Sequence, residues 1–269
     1  MSRFRYCLNA STIRTTPVLR QIEVARQAGY EAIELWHDHI DEHLRSGGTL
    51  TEIRKALDDN GVVAPTTIYL AGWFQPAGEE HVKALDEIRR RLEQSAAVGA
   101  TFAIAGPPPG KADRALGARH YAELLELGKS FGVKPAFEYL GFVDDINTID
   151  DAIEIIQRSG HPDATVVVDP FHCWRGGGPV SSLSKLKSSQ IAISHFNDSP
   201  AEPAASLQED SDRVMPGDGV VDLKFYCDQL ASTGYKSYLS LELFREDLWA
   251  KDALEVAKLG IEKMRPFVE

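Results

Sequence analysis

Four side chains of the kinds that bind metal ions follow short apolar runs in the second half of the chain. Glu138 ends the run KPAFE, Asp169 ends TVVVD, His195 lies near the end of IAISHF, and Glu242 follows YLSL. Carboxylates and imidazoles are ligands that Mn²⁺, Mg²⁺, Co²⁺ and Zn²⁺ accept in proteins. Three crowded carboxylates repel one another, and a cation removes that cost. Each residue alone is more typical of a surface or structural role, so the prediction of one divalent metal ion depends on the set.

These runs belong to a regular alternation of short strand-like segments and longer helix-like segments. The candidate strands are 4–9, 31–35, 62–68, 101–105, 133–138, 165–169, 190–196 and 237–243. Between them apolar residues recur at helical spacing, as over 79–98, and Thr148 before Asp151 marks a helix start. Glycines stand where helices should end, just before the next strand. They are Gly29, Gly61, Gly99, Gly132, Gly160 and Gly234.

Eight strands in alternation with helices predict a parallel sheet. We expect it to close into a (β/α)₈ TIM barrel, with residues 1–269 forming a single domain. The alternative is an open, doubly wound sheet. In a barrel the carboxyl ends of the strands meet at the face that carries active sites, so the four candidate ligands would converge there.

Composition limits the classes of partner. The net charge of −11 disfavours nucleic acid and anionic membranes, which bind basic surfaces. Three scattered cysteines do not form a disulfide framework. The first residues lack the apolar run of a signal peptide, and no segment is apolar for the ~18 residues of a membrane span. These features predict a cytoplasmic globular protein.

Several loops and aromatic residues should lie near the same face. The segment 106–111, GPPPGK, cannot be helical, and 197–219 reads as a long polar loop that could act as a gate. Trp36 and Trp73, just after strands two and three, could wall a pocket and stack on the face of a substrate; packing at the barrel mouth is the equal alternative. The histidine-rich segment 37–43 reads as a solvated loop outside the metal site.

The motifs around the four ligands resemble those of a known family. FEYLGF, NTIDDAIEII, VVVDPFH, ISHFND, DRVMPGDG and LSLELF are similar to motifs of the sugar phosphate isomerase/epimerase superfamily, whose members are xylose isomerase-like barrels. Within it the chain looks most like the 2-keto-myo-inositol isomerase-like group. The resemblance covers nearly the whole chain and is most specific between Glu138 and Phe244.

The resemblance implies roles for individual residues. It implies that Glu138, Asp169, His195 and Glu242 bind the metal. Glu138 and Glu242 would also carry protons to and from the substrate. His172 in VVVDPFH and Arg213 in DRVMPGDG would bind substrate oxygens. The implied reaction is isomerisation or epimerisation of a sugar, sugar phosphate or keto-cyclitol through an enediolate. We expect a small polyol or sugar as partner, neither nucleic acid nor membrane, and leave a homo-oligomer open.

Other functions stay open at this point. A dehydratase of the inosose or dehydroshikimate type would use the same enediolate and lose a hydroxyl. An endonuclease IV-like repair enzyme is a remote alternative, because strands three and four lack its histidines. A barrel that binds metal without catalysis is a third, and His172 and Arg213 argue against it.

Overall fold

The chain forms a closed barrel of eight parallel strands in sequence order, as a computed structural model describes for residues 2–269. Every strand pairs with its sequence neighbours, and β1 closes the ring by pairing with β8. The strands are β1 (Arg5–Asn9), β2 (Ala32–Trp36), β3 (Thr66–Leu70), β4 (Phe102–Ala105), β5 (Lys134–Glu138), β6 (Val166–Val168), β7 (Ile191–Phe196) and β8 (Tyr238–Leu241). The predicted single-domain TIM barrel is confirmed.

Helices follow the strands. They are α1 (Val18–Ala28), α2 (His37–Arg45), α3 (Leu50–Asn60), α4 (Glu79–Val98), α5 (Arg114–Lys129), α6 (Ile149–Ser159), α7 (Pro170–Gly176), α8 (Leu223–Ser232), α9 (Glu246–Trp249) and α10 (Ala253–Val268). Short 3₁₀ helices cover Ala10–Ile13, Val180–Lys185, Ser188–Gln190, Ala205–Leu207 and Asp210–Asp212. None of the helices in residues 2–269 is both long and apolar enough to cross a membrane.

Local signals in the sequence explain where several helices begin and end. Thr148 caps α6 in a capping box with Asp151, as the spacing predicted. The six glycines predicted to follow helices all have positive φ, which residues with a Cβ rarely adopt. Strand β3 begins later than the predicted 62–68, because Pro65 has no N–H to donate to a neighbouring strand.

The histidine-rich segment 37–43 was wrongly predicted to be a solvated loop. It forms most of α2, in which His37 and Ile40 are buried three residues apart on one face. The Nδ1 atom of His37 lies 2.8 Å from the side-chain oxygen of Gln94 on α4. Its exclusion from the metal site agrees with the geometry, since no candidate metal cluster among residues 2–269 includes a residue of this segment.

Alternation along each strand separates two apolar layers. Inward-facing residues such as Cys7, Ile104, Ala136 and Val167 pack inside the barrel. Their outward-facing neighbours, such as Phe137, pack against the helices. Because successive side chains point to opposite faces, the residue after Phe137 points inward again. The helical layer therefore fixes the strands that hold the site.

We predict that truncation of Phe137 destabilises the barrel. Its ring is fully buried, with ring centroids 5.8 Å from Trp73 and 5.7 Å from Tyr121. Phe137→Ala should lower the free energy of unfolding by about 3–5 kcal/mol through lost burial and a cavity. Phe225→Ala is the matched control, since Phe225 is 42% exposed and should change stability by less than about 0.5 kcal/mol. Equal shifts of the urea midpoint for both variants would contradict this packing.

Candidate active site and metal centre

The four predicted metal ligands lie together at the carboxyl ends of β5 to β8. Glu138 is the last residue of β5, Asp169 directly follows β6, and Glu242 directly follows β8. Each of these three follows an outward-facing apolar residue by one position, so the period of two turns it into the barrel. All four are at least 95% buried.

The carboxylates surround one nitrogen of His195. Its Nδ1 lies 2.9 Å from Oε1 of Glu138, 3.0 Å from Oε2 of Glu242 and 3.8 Å from Oδ2 of Asp169. Four ligand-type side chains from four consecutive strands thus converge on a single point. Sequence reasoning placed them at one face, and the structure brings them into direct contact.

The donor set fits a divalent metal ion. His195 Nδ1 and Glu138 Oε1 are buried and 2.9 Å apart, but they are not aligned as a hydrogen bond, and neither has a hydrogen bond to any other residue of 2–269. Buried polar atoms are normally satisfied, so unpaired atoms that face one another call for a bound group. Oxygens of three carboxylates and one imidazole nitrogen are the ligands that a divalent cation takes in proteins.

Two further buried residues, which the sequence analysis did not identify, support this set. Glu34 on β2 is fully buried, and its Oε1 lies 3.3 Å from Nε2 of His195. This contact orients the ring so that Nδ1 faces the other carboxylates, as carboxylate partners of metal-bound histidines do. The side-chain amide of Asn9 on β1 donates to Glu34 at 3.1 Å and to Glu242 at 2.9 Å.

A signal for these two residues was present in the sequence. Glu34 lies inside the apolar strand EAIEL, and Asn9 ends the first strand. A buried strand rarely carries an acid unless that acid is paired. Glu34 was missed because it lies two residues before the end of β2, whereas the predicted ligands lie at or next to strand ends.

His172 faces the same pocket from α7. The backbone N–H of Gly141 donates to its Nδ1 at 3.1 Å, so in the neutral ring Nε2 carries the proton. Nε2 lies 3.9 Å from Oε1 of Glu138 and from Oδ2 of Asp169. Burial lowers the pKa of His172 to about 4, which favours the neutral ring. His172 therefore presents an N–H donor to the pocket.

Arg213 closes the pocket from above. Its Nη1 donates to Asp169 at 2.6 Å and to Glu242 at 2.8 Å, and its Nη2 donates to Asp210 at 2.7 Å. The guanidinium lies over the ring of Phe171, 4.5 Å from its centroid, and the residue is 1% exposed. The arginine thus spans the space between the ligand carboxylates and the outside.

The long polar segment 197–219 that carries Arg213 is ordered by local hydrogen bonds. The carboxylate of Asp198 accepts from the backbone N–H groups of Gly217 and Gly219 at 3.0 Å each. The side-chain amide of Gln208 donates to the carbonyls of Pro200 and Pro203. These bonds hold the base of the loop and leave Arg213 in the pocket. Its action as a gate stays a prediction.

The two predicted aromatic contacts have different surroundings. The indole N–H of Trp36 donates to Asn9 at 2.8 Å, and its ring meets Phe244 edge-on at the barrel mouth. Trp73 is fully buried in the outer core, where it packs on Phe74 at a centroid distance of 5.0 Å. A side chain enclosed in this way packs the core, so we remove Trp73 from the predicted substrate site and keep Trp36.

Burial and charge shift the pKa values of the central groups. Burial raises the pKa of Glu138 to about 7; Glu242 and Asp169 add to the rise and His195 opposes it. Burial would also raise the pKa of Asp169, but the charge of Arg213 outweighs it and lowers the value to about 2. Burial lowers the pKa of His195, yet the surrounding carboxylates raise it well above its usual value. Negative charge therefore dominates the pocket.

A cleft of about 980 Å³ opens outside Arg213. Six acidic side chains and two arginines are among its lining residues. Arg245 donates to Asp247 at 2.8 Å, whereas Arg175 donates to the backbone carbonyl of Gln208 at 2.7 Å and forms no ion pair with an acid of residues 2–269. Carboxylates therefore outnumber cationic groups in this cleft, which lies beside the segment that carries Arg213.

Known proteins share this architecture. An inosose isomerase of Halalkalibacterium halodurans is 29% identical over 94% of both chains. A 3-dehydroshikimate dehydratase of Pseudomonas putida is 23% identical over 91% of this chain and 39% of its own length. The crystal structure of an IolI protein with a bound zinc atom has a TM-score of 0.91 at 22% identity, over 99% of this chain and 100% of that chain.

The likeness to the solved structure concerns the fold, because the identity is low. A match to a family model over most of the sequence is stronger evidence of family membership than a likeness of fold. Residues 22–266 match the family model described as xylose isomerase-like TIM barrel, and this range contains every ligand and pocket residue described above except Asn9. The chain belongs to the xylose isomerase-like TIM barrel family.

Proposed function

We propose that the chain is a divalent-metal-dependent isomerase or epimerase of an uncharged polyhydroxy ketone, such as a keto-cyclitol or a sugar. One observation carries the proposal: two buried glutamates, on the first and last of four consecutive strands, flank His195 beside a neutral histidine and a buried arginine. Such a site can remove a proton from one carbon of a small substrate and return it elsewhere. The inosose isomerase relative supports this reaction class.

Glu138, Asp169, His195 and Glu242 would hold the metal, His195 through Nδ1. Carboxylate oxygens with one imidazole suit Mn²⁺, Mg²⁺, Co²⁺ or Zn²⁺. When bound, the ion would act as a Lewis acid that stabilises negative charge on substrate oxygens. Glu34 keeps the proton of His195 on Nε2, which leaves the Nδ1 lone pair for the ion.

Glu138 and Glu242 would transfer the protons. We assign Glu138 or Glu242 as the base that takes the proton from the carbon beside the carbonyl, which leaves an enediolate. The other glutamate returns a proton to a different carbon or face, so no atom is lost overall. Asn9 fixes Oε1 of Glu242 by a 2.9 Å hydrogen bond and thereby directs Oε2 toward the centre of the pocket.

His172 and Arg213 would bind substrate oxygens, and Trp36 would border the mouth. The guanidinium of Arg213 is a donor inside the pocket, and its Nη2 lies 3.3 Å from Nε2 of His172, whose N–H would be free for a substrate oxygen once the arginine moves. Neighbouring hydroxyl and carbonyl oxygens of a polyol suit two such donors. Because Arg213 spans the entrance, entry of the substrate requires its side chain and the 197–219 segment to move, which agrees with a gating role.

Charge at the entrance favours an uncharged substrate. Six acidic side chains and two arginines line the cleft, and Arg245 is already paired with Asp247, so a phosphate or a carboxylate would meet an excess of negative charge. The carboxylates of the cleft would repel an anion. This disfavours sugar phosphates, 3-dehydroshikimate and nucleic acid. It favours the isomerase over a dehydratase of the dehydroshikimate type, although a dehydratase of inosose would also take a neutral substrate.

A substrate panel in D₂O tests the proposed function. We expect an inosose or a ketohexose, supplied with Mn²⁺ and enzyme, to give an isomer of equal carbon and oxygen content that carries deuterium at the exchanged carbon. Neither the phosphate ester of the ketohexose nor 3-dehydroshikimate should react. Proton NMR and mass spectrometry separate the outcomes. Loss of water from inosose would establish the dehydratase instead, and turnover of only the anionic substrates would refute the argument from charge.

Substitution of the two glutamates tests their role in proton transfer. Glutamine keeps the size and one oxygen but removes the base, so Glu138→Gln and Glu242→Gln should each lower kcat by at least ~10², the usual scale for loss of a general base. Metal content, measured by elemental analysis, should remain largely unchanged. Glu246→Gln on the cleft wall is the matched control and should leave kcat unchanged. Near-normal deuterium exchange in either pocket variant would show that this glutamate only binds the metal and does not transfer a proton.

A further inference from the structure

A second group of metal-binding side chains lies outside the barrel, between α4 and α5. His81 in the first turn of α4 meets His120 and Glu123 of α5, with one ligand atom of each within 4.8 Å of the others. We propose that these three side chains bind a divalent cation of the Zn²⁺ type, separate from the metal centre at the barrel mouth. The inference does not depend on the proposed function.

The hydrogen bonding of His120 prepares it as a ligand. Its Nδ1 lies 3.1 Å from the backbone carbonyl of Trp73, which can only accept a hydrogen bond. The proton of the neutral ring therefore sits on Nδ1, and Nε2 keeps its lone pair. Metal-bound histidines usually donate their other N–H to a carbonyl or carboxylate in this way. Trp73 is fully buried, so its carbonyl is a fixed support.

His81 contributes an unsatisfied group. The residue is 8% exposed, and its Nδ1 is buried with no hydrogen-bond partner in the described part of the chain. Its ring lies 4.4 Å from that of His120 between centroids, tilted by 31°. Two adjacent imidazoles repel when both are protonated, whereas two neutral rings can share a cation. The unpaired nitrogen and the paired rings together point to a ligand.

Glu123 supplies the negative charge. It follows His120 by three residues, which puts both side chains on one face of α5. Glu123 is exposed and forms no hydrogen bond or ion pair through its side chain with any residue of 2–269, so it is free to turn toward the histidines. Its exposure leaves room for water as a fourth ligand. Two imidazoles and one carboxylate suit Zn²⁺, Co²⁺ or Ni²⁺ rather than Mg²⁺ or Ca²⁺.

A cation here would join three parts of the barrel rim. It would tie the first turn of α4 to α5 and, through the carbonyl of Trp73, to the connection between β3 and α4. The same connection packs on α5 through Phe74, whose ring fills the space beside Gly117. We therefore expect the ion to stabilise the rim and not to take part in turnover.

Metal counting on tag-free protein tests the proposal. Protein stripped with a chelator and dialysed against Zn²⁺ should bind one equivalent more in the wild type than in His81→Gln. Glu123→Gln changes an exposed residue and should leave stability within about 0.5 kcal/mol. It should weaken binding of this Zn²⁺ ion at least ~10-fold, the lower end of the loss seen when a partner of a metal ligand is removed. His161→Gln, which removes a histidine that faces Glu126, is the control and should keep the wild-type count.

The same samples give a second measurement. Zn²⁺ should raise the Tm of the wild type and of His161→Gln by more than that of His81→Gln, while turnover with the barrel-mouth metal is equal in all three. Asp169→Asn should lose the barrel-mouth equivalent and keep this one. An equal Zn²⁺ count and an equal Tm gain in the wild type and His81→Gln would overturn the proposal. His81 and His120 would then be a pair of packed rings that binds no metal.

Discussion

The structure depends on the burial of four carboxylates around one imidazole. The carboxylates are Glu34, Glu138, Asp169 and Glu242. Arg213 and His195 oppose them among the buried groups of the described chain, and His195 would have to give up its Nδ1 proton to bind a metal ion, so negative charge is in excess. Burial of unpaired charge costs several kcal/mol per ion, a cost that a bound divalent cation would offset. We infer that this excess of negative charge is what favours a bound cation at the barrel mouth.

The barrel strands and the loops that follow them contribute different groups to the site. Alternating strands fix the ligand side chains in a rigid layer, with Asn9 and Glu34 holding their orientations through hydrogen bonds and close contacts. The groups that would meet the substrate, His172 and Arg213, come from the segments after β6 and β7. A metal site needs fixed geometry, whereas substrate entry needs movement. Under the proposed gating role, the barrel strands would supply the first and the segment that carries Arg213 the second.

The sequence predicted the barrel and the convergence of the ligands because both follow from short-range patterns. Apolar runs, glycines with positive φ and the Thr148 cap mark the elements, and a ligand-type residue at the end of each run marks the site. It missed Glu34, whose role depends on a contact with His195 from the far side of the barrel. Trp73 was misplaced because a residue just after a strand can turn either to the pocket or to the helices, and only tertiary packing decides.

Anomalous scattering from Mn²⁺-loaded crystals, collected above and below the manganese edge, tests the metal centre most directly. We predict a peak at the barrel mouth within about 2.0–2.3 Å of Nδ1 of His195 and of oxygens from Glu138, Asp169 and Glu242, the usual range for such bonds. Arg213 should no longer contact both Asp169 and Glu242. The account would be contradicted if the barrel mouth showed no anomalous peak at saturating Mn²⁺ and Arg213 kept its ion pairs with Asp169 and Glu242. The carboxylates would then be partners of the arginine alone.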